Sequence, residues 1–161
     1  MKKAPHIEIL VHCPNLFSTH FKKTLKKAAL ISLKHIPKSL MNKKVRGASD
    51  CFISIAIVGP KQIQKLNLQY RNKNKPTDVL SFSRMEPSLA AFSFEETDLG
   101  DVLICWSIAK KQAAEYKTTL QEELARLTVH GVLHLFGYDH EIGLKEEKRM
   151  FRLQEKILKG L

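Results

Sequence analysis

The sequence predicts an α+β domain with α/β-like order, a small mixed sheet of about four strands covered by helices, and a metal site at the end of one helix. Three observations carry this expectation. Segments of period-two hydrophobicity alternate along the chain with amphipathic segments of helical period. A chain of 161 residues suits one core, so residues 1–161 are expected to form a single domain. Three histidines gather around the end of one helical segment.

The elements follow in order. His6 to His12 alternate Ile7, Ile9 and Val11 with other side chains, a strand ended by Pro14. From Phe17 to His35 the residues Phe17, Phe21, Leu25, Ala28, Ala29 and Leu33 recur at helical spacing, with lysines opposite. The polar, basic stretch Pro37 to Asp50 reads as a loop, and the β-branched run Cys51 to Val58 as a buried strand. Pro60 opens a helix whose inner face carries Ile63, Leu66 and Tyr70, with Arg71 at its end; a missing N–H costs nothing in a first turn. After a polar turn at Asn72 to Pro76, Val79 to Phe82 forms a short strand, followed by a loop holding Pro87, Glu95, Glu96 and Asp98. Val102 to Trp106 is a fourth strand, and Ser107 is placed to cap a helix reaching Lys117. Leu120 to Phe136 is a further helix stopped by Gly137, and Glu146 to Leu158 a last amphipathic one.

Composition narrows the function classes. The run Cys51 to Val58 is far too short to span a bilayer, and Lys2 and Lys3 lead into Pro5, His6 and Glu8 instead of a signal-peptide core. No membrane role is expected. Cys13, Cys51 and Cys105 are odd in number, widely spaced and form no C-x-x-C pair, so neither a disulfide framework nor a cysteine zinc finger is indicated, and a reducing cytoplasm fits. The formal charge of +11 favours a polyanionic partner such as nucleic acid, although a lysine-rich solvated surface gives the same number.

The chemistry lies in His130-Gly131-Val132-Leu133-His134-Leu135-Phe136-Gly137-Tyr138-Asp139-His140. His130 and His134, four apart on a helix, share one face and can converge on one ion at about 2.0–2.1 Å each. Gly137 permits a left-handed exit that swings His140 back to the same point. Three imidazoles with no cysteine nearby describe an open site, zinc being the expected ion, with a coordination position left for water. Imidazole sites also accept nickel, cobalt or copper. The spacing matches H-E-x-x-H-x-x-G-x-x-H of zinc peptidases except that Gly131 replaces the glutamate that serves as base, which removes most of the force of a peptidase reading.

The motif H-G-x-L-H-L-x-G-Y-D-H resembles the YbeY family of bacterial metal-dependent endoribonucleases. Leu66-Asn67 with Tyr70-Arg71, then Lys75-Pro76-Thr77-Asp78-Val79-Leu80-Ser81-Phe82, then Leu99-Gly100-Asp101, are similar to that family's other blocks, in the same order. The likeness covers nearly the whole chain and is weakest before Asp50 and after Glu146. It implies a small sheet with helices, a zinc-type site, and single-strand-specific cleavage of RNA in maturation of the 16S rRNA 3′ end and in ribosome quality control. It also implies ribosomal or ribosome-associated protein partners and a role in activity for Arg71, whose guanidinium can clamp a phosphate bidentately. Lys73 and Lys75 stand close by for the RNA backbone. Asp139 is either an orienting partner for a ligand imidazole or a turn former, Tyr138 is packing, and Asp78 and Asp101 are caps or turn formers. Two other readings stay open: a metallohydrolase of another kind, such as a peptidase, and an RNA- or ribosome-binding factor whose metal is structural.

Overall fold

The computed structural model describes residues 6–14, 17–45, 48–84 and 96–161. The elements run β1 (His6–His12), α1 (Thr19–His35), α2 (Lys38–Val45), β2 (Asp50–Val58), α3 (Pro60–Arg71), β3 (Val79–Phe82), β4 (Glu96–Cys105), α4 (Trp106–Glu115), α5 (Leu120–Leu135) and α6 (Leu144–Leu158). The sheet has four strands in the order β1-β2-β4-β3, with β1, β2 and β4 parallel and β3 antiparallel on β4. This is the small mixed α+β sheet that the hydrophobic periods predict.

The two faces of the sheet are covered unequally. Cys51, Ile53, Ile55 and Ile57 of β2 and Val102 and Ile104 of β4 join the main core with Leu25, Ala28 and Ala29 of α1 and Leu124, Leu127 and Val132 of α5. On the outer face α3 lays Ile63 and Leu66 against Leu80, Phe82 and Leu103, covering only the β4–β3 side. The expectation of a buried β2 holds for one face: Phe52, Ser54 and Ala56 are only half-buried, because among the described residues no helix crosses their end of the outer face.

Three further expectations change. The stretch Pro37 to Asp50 is not all loop. Pro37 accepts the Met41 amide at 3.0 Å, α2 follows, and Leu40, Met41 and Val45 pack on the core, a contribution its polar composition conceals. Glu96 and Asp98 lie within β4, not in a loop, because β4 pairs with β2 along its length and Asp98 is held by Arg84 at 2.9 Å. Pro87 and Glu95 lie outside the described residues. Finally, β4 ends at Cys105, so Trp106 opens α4 and packs on Phe17 at 4.2 Å, while Ser107 lies inside the helix and Cys105 is its cap.

The helix that matters most, α5, begins at a capping box. Thr119 Oγ1 accepts the Glu122 amide at 3.2 Å and Glu122 Oε2 accepts the Thr119 amide at 2.8 Å, satisfying two otherwise orphan donors. It ends in a Schellman turn: the Gly137 amide donates to His134 O at 3.0 Å and the Tyr138 amide to Leu133 O at 3.2 Å. Gly137 sits at φ 82°, a conformation side chains disfavour, and buried Tyr138 locks the exit by packing, as expected of it.

Candidate metal centre

The site is assembled where α5 leaves the inner face of the sheet. His130 and His134 project from one side of the helix with their Nε2 atoms 3.1 Å apart, a spacing that two ligands of one ion adopt. The Schellman turn brings His140 back, and one ligand atom from each of the three rings lies within 4.8 Å of the others. Asp139 Oδ1 accepts the Glu141 amide at 2.8 Å, so this aspartate forms the turn around His140. Among the described residues the group numbers three, which leaves room for a non-protein ligand.

Two residues of α6 complete the support. The Nδ1–H of His130 donates to Gln154 Oε1 at 3.0 Å; a carbonyl oxygen only accepts, so the proton sits on Nδ1 and the Nε2 lone pair faces the cluster. Phe151 stacks on His140 with centroids 5.7 Å apart. Burial, then the neighbouring His134, push His130 from its ordinary 6.5 down to about 4. Burial, then His140, lower His134 as well. Three converging imidazoles, two of them with lowered pKa and one oriented by Gln154, suit a divalent transition metal, so the residues fit such an ion.

A cleft of about 280 Å³ opens over the histidines, lined also by Arg71, Asp78 and Arg126. Arg71 comes from the far side, at the end of α3. Asn72 caps that helix at φ 55°, and buried Asn67 pins the following turn by donating from Nδ2 to Lys75 O at 2.7 Å and accepting the Lys73 amide on its carbonyl at 3.2 Å. The Leu66-Asn67 block thus fixes where Arg71 emerges. Asp78 ties β3 to two helices: its carboxylate takes Gln112 Nε2 at 3.1 Å and the Val79 amide at 2.9 Å, with Arg126 4.0 Å away. Burial works to raise this carboxyl, but the bonds from Gln112, Val79 and Thr77 and the Arg126 charge outweigh it and hold it below the usual range.

Gly131 has a packing reason. A Cβ there would stand 2.4 Å from Val102 Cγ1, because α5 lies against β4 at this point. A glutamate at 131, the base of the peptidase motif, has no space, and its side chain would point into the sheet.

The family model described as "Endoribonuclease YbeY" matches residues 18–161. The chain belongs to the YbeY family. Curated relatives named Endoribonuclease YbeY include those of Sulfurihydrogenibium sp. (strain YO3AOP1), 47% identical over 68% of this chain and 69% of its own, and Pelotomaculum thermopropionicum, 49% identical over 66% and 69%. The solution structure of TM1509 from Thermotoga maritima is similar with a TM-score of 0.58 at 30% identity, covering 94% of this chain and 87% of that one.

In this YbeY family member the structure brings the three histidines together, and Arg71 lines the same cleft. Lys73 and Lys75 are exposed beside it, and Asp101 pairs with Arg84 at 3.0 Å, away from the histidines. Sequence reading missed Gln154, Phe151, Arg126 and Glu141 as parts of the site. Arg126 could have been found, being four residues before His130 on the same helix face. Gln154 could not: it is 24 residues along the chain from the histidine it orients. No helix is long and apolar enough to cross a membrane among the described residues.

Proposed function

We propose that this chain is a metal-dependent endoribonuclease that cleaves single-stranded RNA in maturation of the 16S rRNA 3′ end and in ribosome quality control. It works in the cytoplasm as one domain with one zinc ion per chain, and its partners are the ribosome and ribosome-associated proteins. One observation carries the reading: three converging imidazoles and an arginine line the same cleft. The family match and the +11 charge support RNA as the polyanion.

In this reading His130, His134 and His140 hold the ion. When bound, it supplies Lewis acidity toward a phosphodiester oxygen. Gln154 keeps the His130 proton on Nδ1, so that Nε2 is available as a ligand. Arg71 offers a planar, always-charged fork to the non-bridging oxygens and offsets charge that grows in the transition state. Asp78 and Arg126 hold the β3 wall of the cleft against α5.

The test is cleavage of a fluorophore-labelled single-stranded RNA with metal, with chelator, and by His134→Ala. Wild type is expected to cut in a metal-dependent manner. His134→Ala is expected to lose both metal and activity, since two imidazoles leave an incomplete ligand set. Intact RNA at stoichiometric metal, or equal cutting by the variant, would refute the reading.

A further inference from the structure

The outer face of the sheet holds a second concavity. Strand register places Leu10, Ser54, Asp101 and Phe82 in one row and His12, Ala56, Leu103 and Leu80 in the next, all on that face. Strand β2 contributes only the small Ser54 and Ala56 to these rows, while Leu66 and Tyr70 of α3 line the same concavity. The result is a groove of about 550 Å³, within the range of sites that take small organic groups.

Its wall is aromatic and open. Tyr70 is 60% exposed, yet its ring is steadied edge-on by Phe82 with centroids 4.9 Å apart. A tyrosine held in this way presents a π face that the described residues leave largely exposed. Asp101 on the floor is itself held by Arg84, which also lines the groove.

The groove and the metal cleft share a ridge. Tyr70 lines the groove and its neighbour Arg71 the cleft; Phe82 lines the groove and its neighbour Ser81 the cleft. Strand alternation in β3 and the turn per residue in α3 produce this division. Consecutive residues thus offer an aromatic surface on one side and a cation on the other, matching a single strand in which base and phosphate alternate.

We propose that this groove is a nucleobase subsite, in which a base flanking the scissile phosphate stacks on Tyr70 while the backbone passes Arg71. This rests on the endoribonuclease reading above. Ser54 and Asp101 supply polar groups to the base edge. Single-stranded RNA is the occupant favoured by the exposed ring, the adjoining cation and the +11 charge; a duplex keeps its base faces stacked and unavailable.

The experiment measures binding by fluorescence anisotropy, using a short labelled single-stranded RNA and a set in which each base in turn is replaced by an abasic ribose. Wild type is expected to lose about tenfold in affinity at one abasic position. Tyr70→Ala is expected to bind the intact RNA about tenfold more weakly and to be indifferent to that position, while Tyr70→Phe stays close to wild type. Unchanged melting of the variants, expected from the exposure of Tyr70, separates this from misfolding. Wild-type affinity in Tyr70→Ala, no binding by any form, or equal sensitivity at every abasic position overturns the subsite. So does a dimer in sedimentation that Tyr70→Ala abolishes without affecting RNA binding, which assigns the face to a second copy. Cleavage of the same RNAs distinguishes the two proposals: Tyr70-dependent binding without metal-dependent cutting upholds the subsite and removes the nuclease reading. Cutting and binding indifferent to Tyr70 does the reverse.

Discussion

Two arginines line the metal cleft, and they are held in opposite ways. Arg126 is bound by Glu123 through two bonds, Nε to Oε2 at 2.9 Å and Nη2 to Oε1 at 2.6 Å, and Glu123 is almost fully buried. Its pKa is raised, first by the Glu123 hydrogen bonds and then by the charges of Glu123, Asp78 and Tyr116, against burial. Arg71, in contrast, has no carboxylate partner among the described residues, and its turn is fixed through the backbone by Asn67. A neutralised arginine builds a wall; an unneutralised one keeps its charge for an incoming anion. The difference supports the proposal that Arg126 builds the cleft and Arg71 meets the substrate.

The contrast can be broken by removing Arg126. Arg126→Ala leaves the buried Glu123 carboxylate unpaired and is expected to cost about 3 kcal/mol, a fall in Tm of about 6–12 °C. A calorimetric scan measures it, and unchanged melting with lost cleavage would exchange the roles of the two arginines. A smaller effect is expected at Gln154. Gln154→Leu frees His130 to choose its tautomer and is expected to weaken metal affinity about 10- to 100-fold, read by competition with a metallochromic chelator. Equal affinity would show that Gln154 only fills space.

The smallest effect concerns pH. In the metal-free protein His130 titrates near 4, below its ordinary 6.5, so the unfolded chain binds more protons than the native one between these values. Its contribution to stability is complete above about 6.5 and is lost as pH falls toward about 4. Urea midpoints for metal-free protein are expected to decline through that window, whereas a flat profile would contradict the burial of a neutral imidazole. Lowered His134 acts in the same direction.

How much of this was legible in the sequence depends on how local the cause is. The three histidines are, because helical spacing and a glycine stop are encoded within a few residues. Arg71 became visible only through the resemblance, since the bond from Asn67 that fixes its turn gives no periodic signal. The unequal covering of β2 was hidden for another reason: Cys51 to Val58 is apolar at every position but Ser54, and only the position of α3 shows that Ser54 and Ala56 face a groove. Helix α2 escaped because lysine-rich helices and loops share a composition, and only packing of Leu40 and Val45 distinguishes them. Gly131 was read as a lost catalytic base; its contact with Val102 adds that no base could stand there.

The central claim is that the histidines hold the ion while Arg71 acts on the substrate, and it is tested most directly by Arg71→Ala with metal content and RNA cleavage measured on one preparation. The account predicts one ion per chain, unchanged melting and a fall in kcat of about 10²- to 10³-fold, the loss typical of one preorganised charge contact. Wild-type cleavage by this variant, or loss of its metal together with its activity, would contradict it.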